Sequence, residues 1–130
     1  MKAYKINLAG RDRYLVFTVE AMFQIQENFG GSGELLELLK NPTREAFSAT
    51  CKAAAILAEQ GELARRALGY ESEPILTASA LAATTHPADV AVLKLAIPAA
   101  IALGYGREIV DEDAEVDLGL AELNSQKKTR

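Results

Sequence analysis

The chain has 130 residues, of which 49% are hydrophobic and 25% are charged, and its formal net charge is −4. These values are typical of one globular domain and exclude a disordered or fibrous chain. The acidity is local, because segment 107–117 holds six acids and one arginine. No long basic stripe is present elsewhere, so duplex nucleic acid is not an expected partner.

The cysteine content and the hydropathy of the chain indicate the cellular compartment in which the protein is expected. Cys51 is the only cysteine, which suits a reducing environment. The apolar stretch 90–103 is short for a membrane span, and no signal peptide pattern is present. We therefore expect a cytosolic protein with no membrane partner.

The N-terminal segment alternates between apolar and polar residues, as a half-buried strand does. Tyr4, Ile6 and Leu8 fall on one face, a polar turn follows at residues 10–13, and "YLVFT" is rich in aromatic and β-branched residues. The pattern predicts a β-hairpin over about 3–18. Since two strands alone are marginally stable, the hairpin should lie on a helix or on another chain.

Two short helices should follow the hairpin. Thr18 is placed to cap a helix over 19–29, which Gly30 and Gly31 would end. A leucine-rich helix is predicted over 33–40, because "NP" at residues 41 and 42 terminates it.

Thr43 then opens an alanine-rich helix over 44–60 that is apolar round most of its circumference. Such a helix should be covered on several sides. Gly61 is predicted to weaken it, so that 62–68 forms a continuation beyond a bend or a separate turn.

The last predicted helices span 75–84, after a proline, and 87–103, where Pro87 occupies the permissive first turn and Pro98 should introduce a kink. The sequence therefore predicts a mainly α fold. It comprises a small helical domain over 1–106 with an N-terminal β-hairpin, and a flexible C-terminal tail over 107–130, acidic and then basic.

The sequence contains few residues from which a catalytic site could be built. Cys51 and His86 are the only pair from which a thiol nucleophile could be built, and no orienting group or oxyanion site accompanies them. One cysteine and one histidine are too few for a zinc cluster, and the acidic run lacks the calcium-loop pattern. We therefore expect no enzyme, cofactor or metal site, and a protein whose surface binds other proteins.

Several segments together resemble a known family. They are an N-terminal hairpin leading to "FTVEAMFQIQENFG", a small leucine-rich helix, "CKAAAILAEQGELARRALGY", a "HPADV" helix start, and "EVDLGLAEL" before a lysine-bearing end. This arrangement is similar to the tail assembly chaperones of long-tailed bacteriophages and prophages, and the likeness spans most of the chain.

The resemblance implies a non-enzymatic protein that acts in the cytoplasm of the host bacterium and is absent from the mature virion. Such chaperones bind and solubilise the helical tape measure protein and help to recruit the tail tube protein. It also implies a homo-oligomer. Alternative readings are a structural phage protein, such as a head-tail connector or tail terminator component, and, less favoured, a small enzyme or DNA-binding regulator.

The C-terminal segment carries the predicted site residues. Docking on a partner is one interpretation of its apolar side chains, and a tail held loosely against its own domain is the other. The resemblance adds that a ribosomal frameshift often produces a longer form, and a lysine pair can be encoded at such a junction, although lysine pairs are common without one. The apolar residues are Val116, Leu118, Leu120 and Leu123, and the lysines are Lys127 and Lys128.

Overall fold

The computed structural model describes residues 1–119, which contain five α-helices and a three-stranded antiparallel sheet. The mainly α class predicted from the sequence is confirmed. In chain order the elements are β1 (Lys2–Leu8), β2 (Arg11–Leu15), α1 (Val19–Phe29), α2 (Ser32–Leu39), α3 (Arg44–Ala67), α4 (Ala78–Thr84), α5 (Pro87–Gly104), a 3₁₀ turn (Glu112–Ala114) and β3 (Glu115–Asp117).

The hairpin of β1 and β2 turns at Ala9 and Gly10, not at the polar residues 10–13 that the sequence suggested. Both turn residues are left-handed, with φ of 53° and 78°, as a two-residue type I′ turn requires. Arg11 is therefore already part of β2 and pairs with Leu8 of β1.

The third strand comes from the segment predicted to be a flexible tail. β3 pairs with β1 on the side opposite β2, with Val116 facing Ala3. Lys2 Nζ donates a hydrogen bond of 2.8 Å to Glu115 Oε2 at the same edge. The predicted boundary at residue 107 is therefore too early, since residues 112–118 belong to the fold.

Helix α3 is the centre of the molecule and packs against α1, α2, α4, α5 and β2. It continues through Gly61, so the predicted break there is wrong. A Cβ atom at this position would stand 1.6 Å from the carbonyl oxygen of Tyr14. Gly61 thus lets the backbone of β2 approach the helix, and this contact offsets the cost of a glycine inside a helix.

The start of α4 and the end of α5 are each explained by a specific contact. α4 begins at Ala78, later than predicted, because the Thr77 hydroxyl accepts a hydrogen bond of 3.1 Å from the Ala80 N–H. α5 runs through Pro98 to Gly104, where a Cβ would lie 2.6 Å from the Phe17 backbone oxygen. The close contacts of Tyr14 with α3 and of Phe17 with α5 therefore both require a glycine in the helix.

One face of the sheet packs on the helices and places Tyr4, Ile6 and Leu8 in the core, as the alternation predicted. The opposite face is covered at one end by a smaller cluster of Ala3, Val16 and Leu118. Fully buried residues of the main core come from β2 and from all five helices, and include Leu15, Ile25, Leu35, Leu57, Leu81, Leu93 and Ile97.

Substituting Gly61→Ala should destabilise the protein, because the added methyl group meets the Tyr14 carbonyl and the hairpin must move away from α3. We expect the free energy of unfolding, measured with urea, to fall by about 3 kcal/mol or more. Gly33→Ala in α2 is the matched control, since its Cβ would meet nothing within 4 Å. That variant should be neutral or slightly more stable; equal losses in both variants would contradict the steric account.

Candidate partner-binding surface

Helix α5 is apolar on its inner and outer faces. Its inner face lies in the core through Leu93, Ile97 and Ile101. Its outer face presents Val92 and Leu95, which are 49% and 72% exposed. Lys94 is the single cation of the helix, and Asp89 in its first turn is the single acid.

An all-round apolar helix is usually buried on all sides. The 18 residues of α5 have a mean hydropathy of 1.6, and by length and composition alone they could cross a membrane. The sequence reading of this region as too short for a span therefore needs correction. In the fold, a third of these residues are buried in the core, and the other residues of α5 are partly or fully exposed.

Three adjoining cavities of about 480, 510 and 450 Å³ form a groove, of which the first two lie beside α5 and the third lies between α3 and α4. The first and second share Lys94, and the second and third share Phe47 and Ala82. Helices α2, α3, α4 and α5 and their connections supply the walls. Apolar lining comes from Leu36, Pro42, Phe47, Ala82, Val90 and Pro98.

The described part of the segment that the sequence suggested as a docking site lies outside this groove. Val116 is half-buried in β3, and Leu118 is only 4% exposed, packed with Ala3 and Val16 of the same chain. Leu118 is thus unavailable to a partner in this fold, which corrects its assignment. The remaining predicted residues lie outside the described part of the chain: Leu120, Leu123, Lys127 and Lys128.

A buried ion cluster joins the end of α3 to the connector that follows it. The Glu62 carboxylate accepts hydrogen bonds from Arg65 Nη1 at 2.6 Å, Arg66 Nε at 2.8 Å and the Glu73 N–H at 2.8 Å. The Arg65 guanidinium also lies 4.9 Å from the centre of the Tyr70 ring. The cluster therefore fixes the path of the chain between α3 and α4.

Burial raises the pKa of Glu62, but the hydrogen bonds from Glu73, Arg66 and Arg65 outweigh it and hold the pKa below its ordinary value. The adjacent cavity measures about 10 Å³, roughly the space of one water. No small molecule fits there, so we assign the cluster a structural role. Its i, i+3, i+4 spacing is visible in "ELARRA", but the break expected at Gly61 concealed it.

The other candidate residues, Cys51 and His86, lie in the core on α3 and at the start of α5, respectively. Cys51 is 2% exposed, and burial raises the pKa of its thiol, which reduces the reactive thiolate. His86 precedes α5, and its backbone N–H donates to Asp89 Oδ2 at 3.3 Å. Within residues 1–119, no three His, Cys, Asp or Glu side chains are grouped so that they could hold a metal ion.

Comparison with known proteins adds no relative: no protein-family model, no curated protein and no solved structure matches this chain. The surface of α5 and the groove beside it are therefore interpreted from their own geometry and chemistry.

Substituting Glu62→Gln should destabilise the fold in a pH-dependent way. The pKa of Glu62 in the folded protein lies below the ordinary value of 4.5, so its contribution is complete above that pH and is lost as the pH falls through the folded-state pKa. At neutral pH the variant removes the anion that Arg65 and Arg66 share, leaving Arg65 only a longer ionic contact of 3.9 Å to Glu73, and the free energy of unfolding should fall by about 3 kcal/mol.

Urea unfolding at neutral pH and at about pH 3 measures this difference, which should shrink in acid. Glu27→Gln on the exposed side of α1 is the control and should change stability little at either pH. A loss for Glu62→Gln that is the same at both pH values would contradict the assigned role of the carboxylate.

Proposed function

We propose that this protein is a phage tail assembly chaperone, which binds and solubilises the helical tape measure protein and helps to recruit tail tube subunits during tail morphogenesis. One observation carries the proposal: the outer face of α5 is apolar and is not covered by any other element of residues 1–119. A surface of this kind is typical of proteins that hold other proteins.

The resemblance in sequence supports the same proposal. The segments that carry it include the hairpin, "FTVEAMFQIQENFG" around α1, the alanine-rich α3, and "HPADV" at the start of α5. In this proposal the outer face of α5, and not the buried Leu118, is the principal contact surface. The protein then needs no catalytic group, cofactor or nucleic acid for its function.

The physical basis is the protection of exposed apolar helix. A tape measure protein is a long helix with apolar stripes, which would aggregate unless covered. Several chaperone copies, each binding one stretch through α5, would cover it at modest affinity per copy and gain from multivalency. Weak individual contacts also permit displacement when tube subunits assemble in the host cytoplasm.

Substituting Leu95→Asp should abolish this function while leaving the fold intact. Leu95 is 72% exposed, so its replacement should change the free energy of unfolding by no more than about 0.5 kcal/mol. Co-expression with the tape measure protein encoded by the same phage should give soluble tape measure protein with the wild type and much less with the variant.

Val110→Asp is the matched control, because it also removes a fully exposed apolar side chain, but from outside α5. It should solubilise as well as the wild type does. Failure of the wild type to raise the soluble yield would refute the chaperone proposal. Detection of the protein in purified virions by mass spectrometry would instead favour a structural component, such as a connector or terminator.

A further inference from the structure

The rim of the groove beside α5 is positively charged, although the whole chain carries a formal charge of −4. Four cations line its three cavities against one carboxylate. The carboxylate is Glu37, and the cations are Lys40, Arg44, Lys52 and Lys94.

Most of this positive charge is not neutralised by the described part of the protein. Lys40 Nζ forms an ion pair of 2.8 Å with Glu37 Oε1, so one of the four cations is neutralised. Within residues 1–119, Arg44, Lys52 and Lys94 make no ion pair. Arg44, Lys52 and Lys94 therefore line the groove without an ion-pair partner among residues 1–119.

The walls of the groove indicate the secondary structure of its occupant. They consist of helices and the connections between helices, with no strand of the sheet among them. The groove therefore has no strand edge with which an extended peptide could form main-chain hydrogen bonds. An amphipathic helix, in contrast, can pack its apolar face on Phe47, Val90 and Pro98.

We propose that the groove binds an amphipathic helix whose apolar stripe is flanked by glutamate or aspartate residues. This inference rests on the proposed function, because it describes the chemistry of the tape measure segment that the chaperone would select. The apolar stripe occupies the floor, and the acidic flanks lie opposite Arg44, Lys52 and Lys94.

Exposed ion pairs are individually weak and are screened by salt. Three such pairs should together strengthen binding about tenfold at low ionic strength. Their larger effect is on orientation and on the rate of association, because charges at a rim steer a partner and disfavour one with the wrong sign. A helix with lysine flanks should therefore bind more weakly than a neutral one.

Three synthetic helical peptides of about five turns test the proposal. They share one leucine stripe and carry all glutamate, all glutamine or all lysine at the flanking positions. Fluorescence anisotropy with the full chain gives the dissociation constants. The glutamate peptide should bind about tenfold more tightly than the glutamine peptide at about 0.02 M salt, and this advantage should shrink at about 0.5 M salt.

Charge reversal on the protein locates the effect. The variant Arg44→Glu, Lys52→Glu and Lys94→Glu should prefer the lysine peptide. A control variant places the same change in net charge away from the groove, through Lys5→Glu, Arg11→Glu and Arg107→Glu. It should retain the preference for glutamate, and circular dichroism checks that both variants fold.

The outcomes separate this inference from the proposed function. Equal binding of the glutamate and glutamine peptides overturns the acidic-flank proposal but leaves the binding of apolar helices intact. A similar change of preference in both charge variants also overturns it, because net charge alone would then explain the result. If no peptide binds while the wild type still solubilises the tape measure protein, the groove proposal fails and the chaperone proposal stands.

Discussion

The contact between Gly61 and the Tyr14 carbonyl determines how the hairpin sits on the helical part of the molecule. Because glycine has no Cβ, β2 approaches the middle of α3, and the Val16 N–H then donates to the Leu57 carbonyl at 3.2 Å. In this position the centre of the Tyr14 ring lies 5.8 Å from Cζ of the Arg65 guanidinium. The position of the hairpin on α3, and the contact of Tyr14 with the Arg65 that pairs with Glu62, therefore depend on this approach.

Small side chains also shape the proposed binding surface. Small residues of α3, among them Ala46, Ala53 and Ala54, are fully buried and let neighbouring elements pack closely round one central helix. α5 then needs only its inner face to complete the core. Its outer face and the groove beside it remain uncovered by residues 1–119, and the proposed interaction with a helical partner uses both.

Two helix starts that depend on local chemistry were predicted correctly from the sequence, whereas features that depend on distant contacts were not. Thr18 and Thr43 cap α1 and α3 where expected, because a cap depends on the next three residues. The predicted break at Gly61 was wrong because the group that requires a glycine there, the Tyr14 carbonyl, lies in the distant hairpin. β3 has only three residues, too few for a pattern, and the groove exists only once four helices have assembled.

The pairing of β1 with β3 has a consequence for the order of folding. Lys2 and Glu115 are 113 residues apart in the chain, so this strand pair closes a long loop in return for a few hydrogen bonds. Long-range contacts of this kind usually form late, after local helices and hairpins. We therefore expect the sheet to gain its third strand last, and to release it first when the fold opens locally.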